Sequence, residues 1–390
     1  MPFIGNKPTS VPLTSSDITD GIITTTKIAD ANVTNPKLTS GSQQNFRNII
    51  INGDMSIAQR ATSTASITSS GYHTLDRFKT LMDSLGTWTQ SQSTDVPTGE
   101  GFASSLKMDC TTADASPSAG DYLVIRQLFE GQNLQYLKKG TASAVSLTLS
   151  FWVKSTKTGT FICEFEDTDN SRNISKSYTV NTTNTWEFKT VTFSGDTTGA
   201  FTNDNGGSLV LNFWLGAGST YTSGTLATTW GSPTSANRVV GQVNIADNTA
   251  NDFYITGVQL EAGTTASDFE FLPVDANLKR CQRYCHRVQG TSGDEKGIGS
   301  GFCVNSTRAI ITFIHPVTMR AEPTITEALI QISYRVSSAD SSLAGDSDET
   351  VNVSSLIFDV DAGSPFTDGD GVNARLDNST SAFLQLDSEL

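Results

Sequence analysis

Three aromatic side chains within one stretch, Trp214, Tyr221 and Trp230, carry flat apolar faces that could stack on a pyranose ring. Asn212, two residues before Trp214, adds an amide that could hydrogen-bond sugar hydroxyls. The competing reading makes Trp214 and Trp230 wall residues of a β-structure, where large aromatics commonly sit. Other chemistry finds less to work with. Cys281, Cys285 and His286 have donor atoms for a metal, but the i, i+4 spacing suits an apolar helix face, and no second ligand pair lies nearby. Asp359-Val360-Asp361-Ala362-Gly363 and Asp368-Gly369-Asp370-Gly371 resemble fragments of a calcium loop. They lack its six-spaced glycine and closing glutamate, and read as solvated acidic loops. His73, His286 and His315 fall in separate segments without a nucleophile motif, and carboxylates are too abundant for any pair to stand out. The residues point to a binding protein without a cofactor, not to an enzyme.

The chain has 390 residues and a net charge of −14. That charge repels phosphate backbones, which argues against nucleic-acid binding. No apolar run approaches the ~20 residues that span a bilayer, so no membrane insertion is expected. Met1-Pro2-Phe3-Ile4-Gly5-Asn6 lacks the basic and apolar regions of a signal peptide, which implies a soluble protein that is made in a cytoplasm and not exported by its own sequence. Charged residues make up only 17%, and Ser, Thr, Asn and Gly cover the surface instead. The five cysteines, Cys110, Cys163, Cys281, Cys285 and Cys303, are odd in number and scattered; they read as buried reduced thiols.

The elements that must position such residues are strands. Val145, Leu147, Leu149, Phe151 and Val153 alternate with polar residues, leaving Trp152 as the one large side chain on the other face. Phe161, Cys163 and Phe165 resume the phase, and Trp186, Phe188, Val191 and Phe193 read as a further strand of the same core. Leu209, Leu211, Phe213 and Leu215 keep one phase with Asn212 and Trp214 opposite; the loop Thr220–Gln242, with Tyr221, Trp230 and Arg238, is expected at one end of the sandwich. Tyr122, Val124 and Arg126 alternate with Leu123, Ile125 and Gln127, apolar on both faces at first, as in a covered strand. A phase change near Gly257 predicts a bulge. The fold class is all-β: an antiparallel jelly-roll sandwich.

Four segments follow. Residues 1–45 repeat Ile18-Thr19-Asp20-Gly21-Ile22-Ile23-Thr24 as Ile28-Ala29-Asp30-Ala31-Asn32-Val33-Thr34, a unit too small to bury its aliphatics alone. Residues 46–273 form the jelly-roll. Residues 274–289 form a linking helix, with Leu278, Cys281, Cys285 and Val288 on one face and Asp275 as N-cap. Residues 290–390 form a β tip with strands at Ala309–Ile314, Thr324–Val336, Ser355–Val360 and Ser381–Leu386, and with polar recognition loops at Ser338–Thr350 and Asp361–Asn378.

The N-terminal repeat resembles those of bacteriophage tail-fibre proteins. So do Asn52-Gly53-Asp54-Met55 through Gln59-Arg60, Gly71-Tyr72 through Leu75-Asp76-Arg77-Phe78, Gly257 to Gly263, and Arg280-Cys281-Gln282-Arg283-Tyr284. Phe78 departs from the tryptophan usual there. Pro316, Met319, Arg320 and Pro323 match a turn of phage-fibre C-terminal domains. The resemblance implies a sandwich like that of carbohydrate-binding modules, homotrimerisation, attachment of residues 1–45 to a virion tail or baseplate protein, and adhesion to a host glycan or receptor. It leaves open a capsid fibre or decoration protein and, further off, a glycan depolymerase. Sandwiches of this kind often hold a structural calcium, for which Asp54 and Glu261 are the candidates.

Overall fold

The computed structural model describes residues 46–306, 308–334, 337–341, 350–361 and 366–390. The N-terminal repeat, residues 342–349 of one polar tip loop and residues 362–365 of the other lie outside these residues, the last including the Ala362-Gly363 end of the first calcium-loop fragment.

Alternating apolar residues build eleven strands up to residue 262: β1 (Ser63–Ile67), β2 (Lys79–Asp83), β3 (Thr87–Ser93), β4 (Ser105–Thr112), β5 (Tyr122–Glu130), β6 (Leu147–Ser155), β7 (Gly159–Asp167), β8 (Arg172–Val180), β9 (Glu187–Phe193), β10 (Gly207–Ala217) and β11 (Asp252–Ala262). They pair antiparallel into a six-stranded sheet, β1-β3-β4-β11-β6-β9, and a five-stranded sheet, β2-β5-β10-β7-β8. The two inner faces share one core, in which Leu149, Phe151 and Val153 of β6 meet Phe161, Phe165, Phe213 and Phe253. Phe151 lies edge-on to Phe213 at 5.1 Å. The fold is the expected all-β sandwich.

The bulge also falls where the phase change put it. The β11–β6 register shifts between Thr256 and Gln259, and Gly257 takes φ +59°.

The linking helix is shorter than its periodicity suggested. α2 runs Val274–Gln282, α1 being the single turn Ser219–Thr222, and Pro273 rather than Asp275 occupies the N-cap. Cys285–Gln289 is a strand, β12, because its backbone pairs residue for residue with β21 (Phe383–Asp387). Five cross-strand pairs outweigh a weak helical period. The other tip strands are β13 (Lys296–Cys303), β14 (Arg308–Ile314), β15 (Thr324–Ala328), β16 (Ile330–Tyr334), β17 (Ser337–Ser341), β18 (Thr350–Val351), β19 (Ser355–Asp361) and β20 (Gly371–Leu376). They form sheets β12-β21-β15 and β17-β16-β20-β13-β14-β19-β18. Both segments read as recognition loops therefore contain strand, in β17 and β20.

Residues 46–390 form one unit, and its two halves are riveted by buried charge. The Arg77 side chain is fully buried: it pairs with Glu389, donates from Nη2 to the Leu128 carbonyl at 2.6 Å, and lies 3.4 Å over the Tyr284 ring. Arg60 bonds Asp387 at 2.8 Å and Glu389 at 3.3 Å, and the Tyr72 hydroxyl donates to the Leu390 carbonyl. Arg320 of the tip donates from Nη1 to the Asn205 carbonyl of the sandwich at 3.2 Å. Arg283 forks onto Glu130 at 2.8 and 2.7 Å.

Removing one partner of such a pair strands the other. Glu389→Gln is expected to cost about 3–5 kcal/mol in urea unfolding, and Arg77→Met/Glu389→Leu together less than the two single losses summed. A second expectation concerns acid. His286 stacks on Phe313 at 5.6 Å, and Phe313 lies 5.9 Å from His315. Burial, with His315 adding to it, pushes the His286 imidazole down to about 4. An unfolded histidine charges near 6.5, so the folded chain loses stability as pH falls from 6.5 towards 4. Asp76, pushed up to about 6 by burial, acts in the opposite direction over nearly the same range. The contribution of His286 is therefore read as a difference: His286→Phe should lose less melting temperature than the parent between pH 6.5 and 4.

Candidate functional site

The residues singled out for stacking do not share an open surface. β10 sends Asn212 and Trp214 to the outer face of the five-stranded sheet, but residues 219–242 fold across that face. Val239, Leu226 and Tyr221 pack there on Val124, Ile162 and Trp214. The loop also satisfies the β8 edge: the Asn173 amide donates to the Gly231 carbonyl at 2.9 Å, and that of Ser175 to the Ala227 carbonyl at 2.7 Å. The expected position at one end of the sandwich is thus replaced by one over its side. Trp214 is left 3% exposed and Asn212 1%. Neither presents a face to a solute. Tyr221 and Trp230 are half-buried, and the Trp230 indole nitrogen donates to the Ser194 carbonyl.

What gathers Trp214 and Asn212 is a buried carboxylate. Glu164 accepts from the Trp214 indole at 3.0 Å, the Asn212 amide at 3.1 Å, the Asn173 amide at 2.9 Å, and the Arg238 guanidinium at 2.8 and 2.6 Å. Burial pushes its carboxyl up, while Arg238 and the amide donors pull the other way. Arg238 lies 5.1 Å over the Trp214 ring and also pairs with Glu166. The cluster clamps the loop to the sheet.

The calcium candidates are likewise occupied by donors. Asp54 accepts from the Ser56 hydroxyl and the Asn277 amide at 3.0 Å each. Glu261 accepts from the Ser267 amide and hydroxyl, both at 2.7 Å, with Arg47 at 3.8 Å. Among the described residues no group of three or more His, Cys, Asp or Glu is arranged to hold a metal ion, and Cys281 and Cys285 are buried thiols.

An open aromatic surface lies on the other sheet. Trp152 of β6 stands opposite Phe188 of β9, their rings 5.4 Å apart and tilted by 52°. Phe188 shares its strand with the core residues Val191 and Phe193, but its odd spacing from both turns it outward, and it is 48% exposed. Facing this pair is a triad, Phe102, Phe269 and Phe271, with ring centroids 4.9 to 5.1 Å apart. The bulge glycine makes that packing possible: a Cβ on Gly257 would come within 2.6 Å of Phe102 Cζ. Between pair and triad lies a groove of about 540 Å³, which Ser150, Ser267, Glu100 and Asp268 help to line. Phe271 is 50% exposed beside it.

The same sheet face continues through Lys154, whose ammonium lies 4.2 Å from the Tyr254 ring centroid and 5.6 Å from that of Trp186. Asp95 pairs with Lys154 and accepts from the Trp186 indole at 3.0 Å. Of the groove residues the sequence flagged only Trp152 as outward. The signal that could have found Phe188, and Trp186 just before β9, was strict parity counting back from Val191 and Phe193.

No protein-family model matches the chain, and no curated protein matches it. Among solved structures, it is similar to the enzymatically active domain of tailspike protein 4 of bacteriophage CBA120: 16% identity, 55% of this chain, 21% of that chain, TM-score 0.30. It thus spans about a fifth of that tailspike chain. A family 16 carbohydrate-binding module is 16% identical over 44% of this chain and 84% of its own, with TM-score 0.23. The CBM22-1 xylan-binding domain from Paenibacillus barcinonensis Xyn10C is 9% identical over 52% and 94%, with TM-score 0.24. At these identities and scores the likenesses carry no argument about what the groove binds, which rests on its geometry.

The Glu164 cluster is expected to act on stability alone. Glu164→Gln should cost about 2–3 kcal/mol of unfolding free energy, because Arg238 loses its fork. Trp214→Phe should cost about 1 kcal/mol for one hydrogen bond and leave ligand binding unchanged, as denaturant titration and calorimetry would check.

Proposed function

We propose that this chain is a glycan-binding protein whose sugar lies in the groove between Trp152, Phe188 and the Phe102–Phe269–Phe271 triad. The observation that carries this is the pairing of exposed aromatic faces with hydroxyl and carboxylate groups around one cavity of about 540 Å³. Aromatic faces offer apolar contact to the C–H side of a pyranose, and the polar rim can meet its hydroxyls. Strands β6, β9 and β11 carry Ser150, Trp152, Phe188 and Gly257 and fix that wall before a ligand arrives, while loops supply Glu100, Phe102 and residues 266–271.

The wider reading is a homotrimeric tail-fibre adhesin of a bacteriophage, made in the host cytoplasm and located on the virion. Residues 1–45 would attach it to another tail or baseplate protein, and the groove would touch a host surface glycan without hydrolysing it. The motifs from Asn52 to Tyr284 that resemble phage fibres support this reading, and weak sites repeated on three chains would gain by avidity. A capsid fibre or decoration role is the alternative.

The test is a glycan array followed by titration calorimetry on hits. Trp152→Ala should lose about 2 kcal/mol, roughly thirtyfold in Kd, with the melting temperature little changed. Full affinity in Trp152→Ala and Phe188→Ala would remove the groove from consideration. Saturable blocking of virus adsorption by the trimer would support the adhesin, and its failure despite glycan binding would favour the decoration role.

A further inference from the structure

The charge around the groove has one sign. Glu100 and Asp268 both stand exposed on its rim, and its lining includes no Lys, Arg or His. Arg47 reaches the same loop, but its guanidinium is engaged: Nε donates to Ser267 Oγ at 2.8 Å, Nη2 bonds the Asp268 carbonyl, and Glu261 lies 3.8 Å away. The lysines farther along the sheet face are also paired, Lys154 with Asp95, and Lys107 with Asp252 at 3.2 Å and Asp109 at 3.7 Å. A sugar carboxylate entering here would shed water and find two like charges. An ammonium would find two carboxylates and the faces of aromatic rings. The net charge of −14 sets the same preference at long range.

Resting on the glycan reading, we infer that the groove is charge-selective: it takes neutral or amino-bearing glycan chains, the amino-bearing ones more tightly, and rejects chains of uronic or sialic acids. The selectivity is set by Glu100 and Asp268, while Trp152 and Phe188 supply contact common to all sugars. The two roles are separable because both carboxylates are exposed, so removing their charge leaves the sandwich intact.

The experiment titrates three β-1,4-linked oligosaccharides of equal length, built from glucose, glucosamine or glucuronate, against the full chain at low ionic strength. Glucosamine should bind tightest and glucuronate at least about tenfold more weakly than glucose, and added salt should compress the series. In Glu100→Gln/Asp268→Asn the three affinities should draw within about threefold of one another. In Trp152→Ala all three should weaken together. Glucuronate binding as tightly as glucose in a Trp152-dependent manner would overturn the inference, as would an order that survives removal of both charges. Failure of all three to bind, with glycan-array hits also unaffected by Trp152→Ala, would instead remove the groove reading on which the inference rests.

Discussion

The structure from residue 46 onward depends on one buried cation. Arg77 has no solvent to fall back on, so its charge must be met by Glu389, the Leu128 carbonyl and the Tyr284 ring. Those groups come from the end of the tip, from β5 and from the turn after α2. Satisfying one guanidinium therefore fixes three distant pieces of chain. Ile51, Ile57, Cys281 and Tyr284 close a small apolar core beside it, with Leu278 and Leu390 packed on its edge. Burial is costly for each ion alone, and the geometry is tolerated because each buried charge faces an opposite one.

The same logic governs the sandwich, with a different outcome on each sheet. On the five-stranded sheet, Glu164 draws in Arg238, Trp214, Asn212 and Asn173, and the loop that carries Arg238 seals the outer face. On the six-stranded sheet no such anchor exists around Trp152 among the described residues, and its outer face stays open with aromatic rings at the surface. One buried carboxylate thus decides which side of the molecule is available to a ligand.

Much of the fold was legible because a half-buried strand writes itself in period two. The inward residues of β6, β7 and β10 and the Gly257 bulge could be read directly. The helix was overread, because Cys285 and Val288 fit a helical face while their backbone is claimed by β21, a partner about a hundred residues away. The site was mostly hidden for a related reason. Trp152, Phe188 and Phe271 become neighbours only through cross-strand register and a returning loop, neither of which local sequence encodes. Trp214 and Asn212 misled because a tryptophan outside the core phase looks exposed until the covering loop is known. The four residues Leu75-Asp76-Arg77-Phe78, singled out for their resemblance to phage fibres, are all buried, Arg77 at the junction and Leu75 and Phe78 in the sandwich core, instead of being offered to a ligand.

The rivet also has a consequence for how the protein is made. A ribosome releases the chain from its N-terminal side, so Arg77, β5 and α2 emerge long before Glu389. Through most of synthesis the guanidinium has no counter-ion, and the surface meant for residues 387–390 stays wet. Docking of the two halves must then wait until residues 387–390 have emerged, as a late step that joins domains already collapsed on their own cores.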